Sequence, residues 1–92
     1  MNQAVKIGEV FRLGELVPYQ DRKIVNMDVT SSKTMKFALM AFDAGTGLSE
    51  HAAPGNALIF ALDGEGVIGY EGKEHVIHAG ENFRFARGGK HY

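Results

Sequence analysis

Glycine-centred turn signals break this chain at short intervals and leave little room for helices of ordinary length. They fall at Gly45 and Gly47, Asp63-Gly64-Glu65-Gly66, Glu71-Gly72-Lys73, Ala79-Gly80-Glu81 and Arg87-Gly88-Gly89, with Thr30-Ser31-Ser32 ahead of them. Glycine supplies 12 of the 92 residues and proline only 2, so tight turns dominate the punctuation. Short apolar segments between turns at roughly ten-residue spacing predict an all-β sandwich or barrel. A chain of this length forms one small domain whose core is thin, burying roughly 60–65% of its unfolded surface.

The segments themselves read as strands. Lys33–Asp43 has Met35, Phe37, Leu39 and Ala41 on one face by period two, with Lys36, Ala38, Met40 and Phe42 on the other. Lys23–Val29, Ala57–Leu62, Val67–Tyr70, Glu74–His78 and Asn82–Phe85 complete the set. By parity from position 57, Ala57, Ile59 and Ala61 share the inner face of their strand. Residues 1–22 are irregular, broken at Pro18, and read as an arm or edge strand ahead of a single domain over 23–92.

Several chemistries drop out on counting. With no cysteine there is no disulfide framework, thiolate metal site or cysteine nucleophile. The longest apolar run, Ala57–Leu62, is far short of the ~20 residues a membrane helix needs. Met1–Gly8 lacks a signal-peptide core, so the expected address is the cytoplasm. The formal net charge of −1 gives no field to hold a nucleic acid, and Arg84, Arg87 and Lys90 read as solvated surface. What remains is histidine. His75 and His78, three apart on one strand, point to opposite faces and cannot chelate one ion together. His51 and His91 lie beside turn glycines.

The order of these turns and histidines resembles the cupin superfamily. In the first family motif a glycine is followed after five residues by a histidine, matched by Gly45 and His51, and the motif closes on Gly64. The second motif is matched by Gly80, Ala86, Gly88 and His91, with Ala86 where the family has proline. The match covers about residues 35–92. It implies a cupin-like double-stranded β-helix, or jelly-roll, barrel that is dimeric and lacks its last strands in this chain. Family members usually hold a divalent metal with three histidines and one glutamate. Here the second histidine position is Ala53 and the acidic position is Ala57, so metal-ligand roles carry over only to His51 and His91. A zinc, nickel, iron or manganese ion is therefore expected to bind weakly or not at all, unless Glu50 or Asn56 turns in.

Two functional readings follow from the resemblance. One is a small-molecule binder whose ligand meets His51 and His91 beside the small side chains of Ala53, Ala57 and Ala61. The other is a metal-dependent dioxygenase, isomerase or lyase that uses the two histidines and an unidentified third ligand. The volume vacated by the alanines must be filled by ligand, water or the rings of Phe37, Phe83 and Phe85. The apolar outer positions Met40, Phe42, Leu58, Phe60 and Leu62 predict a homodimer.

Overall fold

A computed structural model describes all 92 residues. Strands account for nearly all the regular structure; a single 3₁₀ turn at Leu13–Glu15 is the one helical element. No helix is long and apolar enough to cross a membrane. The chain packs as two compact units, Met1–Gly47 and Leu48–Tyr92.

The first unit is built on an antiparallel hairpin of β1 (Ile24–Ser31) and β2 (Lys36–Phe42). Alternation on β2 follows its sequence: Leu39 and Ala41 are buried, while Lys36, Ala38, Met40 and Phe42 are exposed. The turn falls later than the Thr30-Ser31-Ser32 cluster suggests. Ser32 donates its amide to the Met35 carbonyl at 2.8 Å, and its hydroxyl accepts the amides of Thr34 and Met35. The register slips between Asp28 and Thr30, a bulge that lets β1 run on to Ser31. Residues 1–22 form no strand. Asn2 ties the start of this arm to β1, donating its amide to Val29 at 2.7 Å and its side chain to the Asp28 carbonyl.

The second unit has six strands: β3 (His51–Ala52), β4 (Ala57–Phe60), β5 (Glu65–Tyr70), β6 (Lys73–His78), β7 (Asn82–Phe85) and β8 (Lys90–His91). They form an antiparallel sheet in the order β3-β8-β5-β6 and a separate β4-β7 ladder. The expected strands over this region are present, with β4 ending at Phe60 rather than Leu62 and β5 beginning within the Asp63–Gly66 turn signal. Along β4, Ala57 and Ile59 are half-buried and Leu58 and Phe60 exposed, the parity read from the sequence. Ile68 and Phe85 are the buried apolar side chains of this unit.

Candidate functional site

Two-residue strands place both motif histidines. β3 pairs with β8 so that His51 stands directly across from His91, and β8 pairs with β5 so that His91 stands across from Tyr70. Directly opposed residues share a sheet face, so His51, His91 and Tyr70 form one transverse row. Backbone hydrogen bonds flank the Tyr70–His91 pair, from Glu71 to Lys90 at 2.9 Å and between Gly69 and Tyr92 in both directions. Such a pair is of the non-hydrogen-bonded kind, which brings side chains closest. On the reverse face the Tyr92 ring lies over Gly69, where any Cβ would collide with it, and the Tyr92 hydroxyl donates to Glu74 at 3.0 Å. That bond raises the phenol pKa above its ordinary value.

The imidazole rings of His51 and His91, forty residues apart in sequence, meet edge to face with centroids 4.2 Å apart and planes at 64°. Each ring is held the same way. His51 Nδ1 lies 2.8 Å from the Ser49 carbonyl, and His91 Nδ1 lies 2.9 Å from the Gly89 carbonyl. A carbonyl accepts only, so each Nδ1 carries the proton, and in the neutral ring Nε2 keeps its lone pair. His91 is buried and His51 exposed, so the pair runs from the interior to solvent.

Phe85 closes the inner side. Its ring stacks on His91 with centroids 4.0 Å apart and planes 19° from parallel. Phe83 and Tyr70 extend the wall, with Phe85 5.4 Å from Phe83 and 5.5 Å from Tyr70. In the β4-β7 ladder Phe85 is the direct partner of Ala57. The bulky ring therefore stands on the same face as the residue that occupies the acidic-ligand position. Of the three phenylalanines expected to fill vacated volume, Phe83 and Phe85 lie in this wall; Phe37 lies on β2, in the other unit.

The loop 86–89 is tied to both motifs and to Tyr70. Gly89 donates to the Ala86 carbonyl across a turn whose third residue, Gly88, has φ of +78°, as a type II turn requires. Gly88 donates to the Ala53 carbonyl at 3.0 Å, joining the two motifs. Asn56 Oδ1 accepts the Arg87 amide at 3.0 Å, which engages the oxygen it would otherwise offer a cation. The Tyr70 hydroxyl accepts the Ala86 amide at 3.3 Å. A Cβ on Gly89 would stand 2.6 Å from that hydroxyl and from the ring, so only glycine fits. Tyr70 escapes sequence reading because a tyrosine ending an alternating strand gives no signal of what lies opposite.

Of the other candidate residues, His75 touches the aromatic wall, while Ala61 and His78 lie away from the histidine pair. Ala61 sits beyond the end of β4, about 13 Å along the chain from Ala57 at strand rise. His75 packs its ring 5.0 Å from Phe83, and His78 is on the opposite face of β6, as its spacing implies. His78 is exposed yet bound on both sides: Nδ1 lies 2.9 Å from Glu81 and Nε2 3.2 Å from Glu65. The Glu81 hydrogen bond, with the charges of both carboxylates, raises the His78 pKa above 6.5. The His78 amide and ring in turn hold Glu81 below its usual value.

The donor set does not fit a four-ligand cation site of the family type. Ala53 and Ala57 present methyl groups, and no third histidine or carboxylate side chain joins His51 and His91 in a group that could hold a metal ion. A neutral Nε2 suits a hydrogen-bond donor or a loosely held cation.

Comparison with known proteins agrees with the geometry. Residues 38–92, more than half of the chain, match the family profile described as Cupin domain. The fold is similar to that of a Cupin 2 conserved barrel domain protein from Leptotrichia buccalis, at 36% identity and a TM-score of 0.86, covering 88% of this chain. This chain spans only 39% of that protein's length. A conserved protein of unknown function from Streptococcus pyogenes is similar at 17% identity, with a TM-score of 0.90, covering 96% of this chain and 77% of its own. A cupin superfamily protein from Desulfitobacterium hafniense is similar at 19% identity, with a TM-score of 0.91, covering 96% of this chain and 81% of its own. The last two likenesses show the fold alone. No curated protein matches.

Proposed function

Because the chain belongs to the cupin family, we propose that it binds a small organic molecule against the His51–His91 pair, in a site that has given up the family's full metal-ligand set. One observation carries this reading: both Nδ1 atoms are spent on backbone carbonyls, so each of the two touching rings keeps its Nε2 for a ligand while the two remaining ligand positions hold alanine. Phe85, Phe83 and Tyr70 supply an apolar, stackable wall next to those polar atoms, the usual composition of a small-molecule site. His51, being exposed, meets the ligand first, and His91 orients its inner end.

A second reading, a metal-dependent enzyme of dioxygenase, isomerase or lyase type, draws on the same feature. Ligating histidines commonly donate the other ring nitrogen to a carbonyl, which fixes the tautomer. It needs a third ligand besides His51 and His91. Elemental analysis separates the two. Screening small organic molecules while following imidazole nitrogens by NMR should give saturable shifts at both Nε2 atoms, absent in His91→Ala. Stoichiometric zinc, nickel, iron or manganese that is lost in His51→Ala would overturn the first reading.

A further inference from the structure

The inner face of the β5-β6 hairpin is basic, and the His51–His91 pair does not account for it. Ladder register sets Lys73 opposite Tyr70 and His75 opposite Ile68, so both stand on the face that carries Tyr70 and His91. The His75 ring follows that direction, with its centroid 5.0 Å from that of Phe83. Both acids of these two strands point the other way. Glu65 pairs with His78, and Glu74 accepts the Tyr92 hydroxyl on the reverse face. Glu71, in the hairpin turn, accepts the Lys90 amide at 3.3 Å. The facing positions of the β4-β7 ladder, Ala57, Ile59, Phe83 and Phe85, carry no charge. Lys73 makes no ion pair, so its ammonium is the one full charge on this face and has no counter-charge there.

Resting on the reading that an organic molecule lies against the His51–His91 pair, we infer that this molecule is a small carboxylic acid with a flat apolar body, bound as its anion. Lys73 and His75 take the carboxylate, one with a full charge and the other with a ring N–H. The far end of the molecule donates to Nε2 of His91. Lys73 and His91 are the strand neighbours of Tyr70 on its two sides, so the polar ends of the site are two strand spacings apart, about 10 Å. Rings connect them without a break: His75 to Phe83 at 5.0 Å, Phe83 to Phe85 at 5.4 Å and Phe85 to His91 at 4.0 Å. A planar body suits that path, because aromatic faces stack. An amine would meet the like charge of Lys73, and a neutral molecule would leave that charge unanswered.

Titration of the full chain with benzoate, 4-hydroxybenzoate and trans-cinnamate, each beside its neutral amide, tests this by NMR at the histidine nitrogens. The acids are expected to bind about tenfold or more tighter than their amides, as a hydrogen bond to a charged group implies, with saturable shifts at His75 and His91. Lys73→Met should erase that preference and leave the amide affinities unchanged, while Lys73→Arg should keep it. Lys90→Met removes the same charge from the reverse face, opposite Ala52, and should change neither. Equal affinity for acids and amides overturns the anion, and shifts at His91 would then leave the small-molecule reading standing. A preference that survives Lys73→Met, or that Lys90→Met removes as fully, overturns the assignment to Lys73. No saturable shift with any acid or amide overturns both readings.

Discussion

Phe85 lies flat on His91, ring centroids 4.0 Å apart, and stands directly across the β4-β7 ladder from Ala57. One aromatic side chain thus backs the inner imidazole and flanks the position where the family keeps an acid. A carboxylate at position 57 would stand against a buried ring and be poorly solvated there.

Removing that ring should be costly. Phe85→Ala is expected to lower stability by about 3–5 kcal/mol, as truncation of a buried phenylalanine does. In a double-mutant cycle with His91→Ala, the coupling should be about 0.5–1.5 kcal/mol, the worth of an aromatic pair beyond its area. Urea unfolding of the four proteins measures both. Strict additivity would show that the stack contributes nothing.

Returning an imidazole to position 53 should rebuild part of a cation site. His51 and residue 53 lie two apart, the spacing that puts side chains on one face of extended chain. Ala53→His should therefore tighten zinc binding about a hundredfold or more over the parent, since three nitrogen ligands meet the usual requirement. Calorimetric titration with zinc checks it, and His91→Ala in the same background should abolish the gain. Equal affinity for the parent and Ala53→His would mean that position 53 does not face the pair.

Gly89→Ala should destabilise the chain by about 1–3 kcal/mol through overpacking. The new methyl would press within 2.6 Å of both the Tyr70 hydroxyl and its Cε1. Tyr70→Phe removes only the oxygen, so it should not rescue the variant, whereas Tyr70→Ala should recover part of the loss. Thermal melts of the single and double variants read this out, and full rescue by Tyr70→Phe would contradict the contact.

The His78 bridge makes a pH-dependent contribution with a defined sign. The His78 pKa is raised above 6.5, so its share of stability is complete below 6.5 and lost as pH rises through the raised value. Glu81 is lowered from 4.5, so its share is present above 4.5 and lost as pH falls through the lowered value. The bridge therefore works best between those limits. The gap in melting temperature between the parent and His78→Ala should be largest near pH 5.5, which is about midway between the two ordinary values, and should shrink toward pH 9, where about all histidine is neutral. A gap that is constant from pH 5 to about 9 would assign His78 a purely steric part.

Much of the strand order was legible in the residues. Period-two alternation identified β2 through Leu39 and Ala41, and separated Ala57 and Ile59 from Leu58 and Phe60, because a strand's side chains alternate wherever one face is buried. Spacing around Gly45, Gly80 and Gly88 singled out His51 and His91. The strands that carry those histidines were not legible. β3 and β8 are two residues each, too short to show a period, and they exist only because a partner strand lies alongside. The same holds for Tyr70 in the row, for Phe85 on His91 and for the carbonyls that fix each ring. Periodicity is a property of neighbouring residues and survives in one dimension. Which ring meets which is decided by sheet register, and register joins positions forty residues apart only once the chain has folded.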